Sequence, residues 1–139
     1  MGNLQDKLKA KEGYKVLLMN SPLEAKLLFA DPDKLKIVTR PEKECDLLLL
    51  FVRNCADVEA IVGPVLKSLK DDGILWIAYP KQSSGIKTDL NRDNGWEPLY
   101  KEGFGPVSQI AIDATWSALR FRSESKIQRK KDSVILKRK

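Results

Sequence analysis

Residues 46–52 read DLLLLFV, six apolar side chains in unbroken succession behind one carboxylate. A strand with one wet face alternates apolar and polar residues; a strand without alternation is covered on both faces, the mark of a central position in a parallel sheet. Residues 74–79, ILWIAY, repeat the pattern. Between these runs the sequence predicts a helix from near Asn54, where Asn54 and Asp57, three residues on, suit the free amides of a first turn. Val58, Ile61, Val62, Leu66 and Leu69 form its inner stripe, and Gly63-Pro64 is expected to kink or split it. Asp71-Asp72-Gly73 then makes the turn into the second run.

Toward the N-terminus, residues 15–19, KVLLM, predict another strand. Ser21-Pro22-Leu23-Glu24 supplies an N-cap serine, a proline for the first helical position and a glutamate to close a capping box, so a helix should run to about Ala30. Asp31-Pro32-Asp33 stops it, and Leu35 to Thr39 reads as a short second strand. Toward the C-terminus, a short helix is expected from about Gly95 to Glu102, with Pro98 in its first turn and Gly103 as a left-handed stop. Val107 to Ile112 and Ser117 to Phe121 are two strands joined by a tight turn.

Strands alternating with helices, then a closing hairpin, imply an α/β fold: a three-layer Rossmann-like sheet, mainly parallel, with a C-terminal antiparallel hairpin. One connection is short. Only about six residues lead from the 35–39 strand to Leu47, against the dozen or more of a standard parallel crossover. Either a strand–helix unit is missing, or the short strand is antiparallel or irregular.

The 139 residues suit one domain, 1–123, followed by a basic tail, 124–139, with too few apolar residues to offset the entropy of ordering and so expected to be mobile. The net charge of +6 is concentrated there. From Arg120 onward nine Lys and Arg stand against Glu124 and Asp132, which leaves residues 1–119 near neutrality. Such a tail serves solubility or meets nucleic acid. The polar start MGNLQDKLKAKEG is unlike a secretory signal, and no apolar run approaches the roughly 20 residues that span a bilayer, so a cytoplasmic location without membrane contact is expected.

Histidine is absent, which removes Ser-His-Asp, Cys-His and HExxH chemistry. Cys45 and Cys55 have no metal-ligand or CxxC spacing. No metal, cofactor or catalytic residue is therefore assigned. Cys55, in the first turn of a helix beside Arg53, stands where a thiol pKa is lowered, although a small buried apolar role suits it better.

The loop 80–96, PKQSSGIKTDLNRDNGW, carries the densest functional chemistry. In open α/β sheets, ligands bind beyond the C-terminal ends of the strands. That edge should gather Arg53, Lys81, Lys87 and Arg92 with Ser83, Ser84, Thr88 and Trp116: cations for charge, hydroxyls for orientation and an aromatic plane for stacking, a set that suits an anion. The competing reading has Arg53 or Lys81 paired with Asp113, with Trp96 and Trp116 capping the sheet.

The order of elements resembles the class I methyltransferase fold: LKDDGILWIAYP is similar to its fifth strand and preceding turn, and the last hairpin to its final two strands. In those enzymes a Gly-rich turn after the first strand and an acid ending the second receive S-adenosylmethionine. Here those positions read Met19-Asn20-Ser21-Pro22 and Val38-Thr39-Arg40, and no P-loop or GxGxxG stands in for them. LWIAYPK, SSGIKTDLNRDNGW and IDATWSALRFR further resemble the bacterial DUF3052-like family over roughly residues 13–122. That resemblance implies a Rossmann-like domain and no substrate. The expected function is a non-catalytic binding module for an anionic small molecule or a protein partner; the alternative is a nucleic-acid accessory protein acting through its tail.

Overall fold

The computed structural model describes residues 3–127. Six strands form one sheet: β1 (Lys15–Met19), β2 (Lys36–Val38), β3 (Cys45–Phe51), β4 (Leu69–Pro80), β5 (Phe104–Ala111) and β6 (Trp116–Ser123). Their order is β2-β1-β3-β4-β6-β5. The pairs β1–β2, β1–β3 and β3–β4 are parallel, and β4–β6 and β5–β6 antiparallel. The expected mainly parallel sheet with a closing hairpin is therefore the observed one. Leu47 through Leu50 are 0% exposed, which is the two-sided burial that their lack of alternation requires.

Side chains of opposite parity along the central strands enter two cores. One face packs Leu48, Leu50, Ile77, Leu119 and Phe121 under α3 (Cys55–Leu66) and α4 (Glu97–Lys101). The other packs Leu47, Leu49, Trp76 and Trp116 against the N-terminal segment and α2 (Ala25–Leu28). That segment begins with a single turn, α1 (Leu4–Lys7), capped by the Asn3 side chain. It is fastened where the Trp76 indole donates to the Leu8 carbonyl at 2.9 Å.

The short connection resolves in favour of a missing unit, because β2 is parallel and lies outside β1 at the sheet edge. Six residues suffice to bring the chain from Val38 to Cys45. A three-residue β2 leaves only a short descent, and two strand spacings of about 4.8 Å remain to be crossed.

Three local expectations are corrected. The capping box at Ser21 does not form: the Ser21 hydroxyl accepts from the Leu23 amide at 3.0 Å and donates to the Leu23 carbonyl at 2.7 Å, closing its own turn, so the helix is delayed to Ala25. Asp71-Asp72-Gly73 is not a turn before a strand but a bulge inside β4, with Asp72 at φ 56. Gly63-Pro64 does not split α3, which continues to Leu66. Its buried stripe is Val58, Ile61, Val62 and Val65, while Leu69 belongs to β4.

Past Ser123 the chain makes one 3-10 turn, Glu124–Lys126, whose first amide donates to the Gly103 carbonyl at 2.7 Å. The rest of the predicted tail, from Gln128, lies outside the described residues.

Candidate functional site

Three strand ends meet at one rim because their registers require it. Phe51 pairs with Ala78, and Pro80 with Trp116, so the residues that follow, Arg53 and Lys81, emerge beside the hairpin turn at 113–116. The Lys81 amide donates to the Thr115 carbonyl at 2.8 Å. Asp113 does not take Arg53 or Lys81 as a partner; its Oδ1 accepts from the amides of Thr115 and Trp116, both at 2.8 Å, and so shapes the turn.

The Arg53 guanidinium lies over the Trp116 ring, 5.8 Å from its centroid, and Phe51 meets that ring edge-on at 5.1 Å. Trp116 is only 4% exposed, so it offers no free face for stacking a ligand. Its part is to hold Arg53: a cation over an indole loses rotamer freedom and keeps its outward donors available. Trp96 is not a cap either, being fully buried in the opposite core.

The loop divides into halves with different work. Gln82–Ser84 forms a 3-10 turn ended by Gly85 at φ 85, and the Ser84 hydroxyl accepts from the Ile86 amide at 3.1 Å. Ser83 and Lys87 are exposed. The half from Thr88 to Trp96 spends its polar groups on itself. Thr88 Oγ1 accepts from the Leu90 amide, Asn91 Oδ1 from the Asp93 amide, and the Asn91 carbonyl from the Trp96 indole at 2.8 Å. Arg92 pairs with its neighbour Asp93 at 3.2 Å and acts on Tyr79 and Tyr100, which lie on the α4 side, away from Trp116. Arg92 therefore stands on the α4 side and not beside Trp116, and the Thr88 hydroxyl is used within the loop.

Asp89, absent from the expected set, is the fastening of this half. Its Oδ1 accepts from the Cys55 amide at 2.8 Å, at the N-terminus of α3, while Asn94 Nδ2 donates to its carbonyl at 2.7 Å. Asn54 caps the Asp57 amide, and Asp57 Oδ2 takes the Arg53 amide, so two amides of the first turn, Cys55 and Asp57, have side-chain acceptors. Two carboxylates, Asp89 and Asp93, stand in this cation-rich loop, and that was the available signal.

The Cys55 amide holds the Asp89 carboxyl below its ordinary range. Stability from this contact is present above the unfolded carboxylate pKa of about 3.9 and is lost as pH falls through the folded value. Asp72, held down by Arg122, acts in the same direction. The melting temperature should thus fall on acidification below about pH 4, and Asp89→Asn should be less stable than the parent at neutral pH with a smaller acid drop. Parallel thermal melts across that range check both.

The thiol reading of Cys55 is reversed by the same contact. Burial raises its pKa, and Asp89, Glu97 and Glu59 raise it further, so the helix terminus is occupied by a carboxylate instead of activating a thiolate. Among the described residues no group of three or more His, Cys, Asp or Glu could hold a metal ion, and no helix is long and apolar enough to cross a membrane.

At the turn after β1, Asn20 adopts φ 58, a left-handed conformation that Asn tolerates. The backbone thus takes a glycine-like course with a side chain still attached.

No family model and no curated protein sequence matches the chain. Solved structures do resemble it. The Methanococcus jannaschii fibrillarin pre-rRNA processing protein aligns with a TM-score of 0.56 at 14% identity, over 82% of this chain and 68% of that one. The ribosomal protein L11 methylase of Lactobacillus delbrueckii subsp. bulgaricus aligns with 0.53 at 8% identity, over 85% and 73%. A protein of the NADB-Rossmann superfamily from Streptococcus agalactiae aligns with 0.51 at 10% identity, over 86% and 67%. At such identities the likeness shows a Rossmann-like, methyltransferase-like fold.

Proposed function

We propose that this chain is a non-catalytic binding module on a methyltransferase-like sheet, taking an anionic small molecule at the rim formed by Arg53, Lys81, Ser83 and Ser84. The observation that carries this reading is the Arg53 guanidinium laid over Trp116 at the end of β3, next to Lys81. Neither cation has a carboxylate partner among the described residues. Two cations at the crevice end of an open α/β sheet form a receptor for negative charge, and the exposed Ser83 adds a hydroxyl. Kinship with the DUF3052-like family and a bacterial cytoplasmic setting belong to the same proposal, supported by the phrases LWIAYPK and IDATWSALRFR.

Chemical-shift mapping with inorganic phosphate, nucleotides and S-adenosylmethionine tests it. The first two should move the resonances of Arg53, Lys81, Ser83 and Ser84. S-adenosylmethionine should move none, because Arg40 follows β2 where its ribose requires an acceptor. Arg53→Met and Lys81→Met, which keep much of the apolar stem and drop the charge, should each weaken phosphate binding by about tenfold, the scale of one charged hydrogen bond. Unchanged affinity in both variants would leave the rim a solvated part of the scaffold.

A further inference from the structure

The two edges of the sheet are finished differently. β2 ends one side with three residues, Lys36 among them, and its shortness and charge discourage an added strand. β5 ends the other side with eight residues, and 103–112 is the longest run in the chain without a charged side chain. The next longest such runs, 16–23 and 73–80, supply β1 and β4, which have neighbouring strands on both sides. The direction of the free backbone groups on β5 follows from the hairpin. The Ile112 amide donates inward to the Trp116 carbonyl at 2.9 Å, and successive residues turn to alternate sides, so Ile110 and Ser108 also turn inward, opposite Ala118 and Arg120. Gln109 and Ala111, both exposed, therefore aim their amides and carbonyls out from the edge. Pro106 stands opposite Phe121, which turns to β4, so Pro106 faces outward too; it has no N–H, and the free ladder stops at the register shift between Pro106 and Ser108.

We propose that a second copy of this chain adds its own β5 to this edge, antiparallel, with a two-fold axis at Ile110. In that register Gln109 lies opposite Ala111 of the second copy, and each such pair exchanges both of its N–H···O bonds. The choice of a second copy over an unlike strand follows from charge and shape. A two-fold axis brings like residues together, so a charge near the centre of the strand would repel its copy; residues 107–112 carry none. The same axis sets Ile110 against Ile110 and Ile112 against Ser108. Ile110 and Ile112 are only partly buried, at the margin of the core that holds Trp76 and Trp116, so a second copy extends that core across the interface. Pairing over so short a segment covers less than the roughly 800 Å² per partner of a standard interface, and the dimer should be weak, with a dissociation constant of about 10–100 μM. This surface is separate from the rim of Arg53 and Lys81, and its failure would leave that reading untouched.

The test is sedimentation equilibrium of the full chain from about 5 to about 500 μM, a span set around that constant. The parent should pass from monomer to dimer and no further, because the two-fold contact is closed. Gln109→Lys combined with Ala111→Lys, both at exposed positions, sets like charges opposite each other on either side of the axis and should weaken association about tenfold. Gln109→Lys combined with Ala111→Glu sets opposite charges there and should associate at least as tightly as the parent. Arg53→Met, at the rim, should dimerise as the parent does. Hydrogen exchange at the Gln109 and Ala111 amides should slow as the parent is concentrated. The proposal is overturned if the parent stays monomeric at the highest concentration, which would leave the edge to an unlike strand. It is equally overturned if the two double variants associate alike, if the doubly lysine-substituted chain dimerises as the parent does, or if a dimer forms without slowing exchange at Gln109 and Ala111.

Discussion

Replacing Trp96 with alanine is expected to lower the unfolding free energy by about 3–5 kcal/mol, the range for removing a large buried aromatic. Trp96 is 0% exposed. Its ring meets Tyr79 at 5.4 Å and 71°, and Phe121 at 5.4 Å and 54°, so it joins β4 to β6 from the α4 side. Its indole N–H donates to the Asn91 carbonyl, so one side chain both fills the core and closes the loop before α4. With domain stabilities of about 5–15 kcal/mol, the loss should lower the melting temperature by about 10 °C or more. Trp96→Phe separates the two contributions. It keeps much of the ring volume and gives up the hydrogen bond, whose acceptor lies in an exposed part of the loop where water can replace the donor, so it should recover most of the loss. A chemical unfolding series on the three proteins measures this; an alanine variant within about 1 kcal/mol of the parent would mean that Trp96 does not hold the loop.

How much of this was legible in the sequence depends on how local each feature is. Continuous burial is written into Leu47 through Leu50 themselves, so the central strand could be read directly. The cap of α3 is similarly local, since Asn54 and Asp57 serve amides within four residues. Ser21 shows where locality fails: its hydroxyl could cap a helix or close a turn on Leu23, and only the packed chain chooses the turn. The rim was half visible. Arg53 and Lys81 could be placed at strand ends, but the burial of Trp116 beneath Arg53 depends on the register of β4 with β6. Thr88 to Trp96 misled for a chemical reason, because the donors and acceptors that recognise a ligand are the same groups that satisfy one another in a docked loop. Arg120 was hidden altogether. Its enclosed Nε has no hydrogen-bond partner among the described residues because strand order places Ser108 and Trp76 beside it.

Gly95→Ala should cost about 2–4 kcal/mol, a large effect for one methyl group, and its origin can be divided by experiment. Gly95 has φ 103, where an L-residue is strained, and an added Cβ would stand 2.3 Å from Leu90 Cδ2 and 2.9 Å from Cys55 Sγ. Leu90 is fully buried, and Cys55 opens α3 under the Asp89 contact, so neither can withdraw without disturbing the loop's attachment. Overpacking of this kind costs about 1–3 kcal/mol, and the unfavourable backbone adds about 1 kcal/mol or more. Gly85 is the internal comparison. It has φ 85 but nothing within 4 Å of an added Cβ, so Gly85→Ala should show the backbone contribution alone, about 1 kcal/mol. Leu90→Ala introduced into the Gly95→Ala chain makes room for the methyl group, so the double variant should be more stable than the sum of the two single losses predicts. Strict additivity in that cycle, or equal costs at positions 85 and 95, would show that crowding between the loop and α3 is absent and that Gly95 is required for its backbone conformation alone.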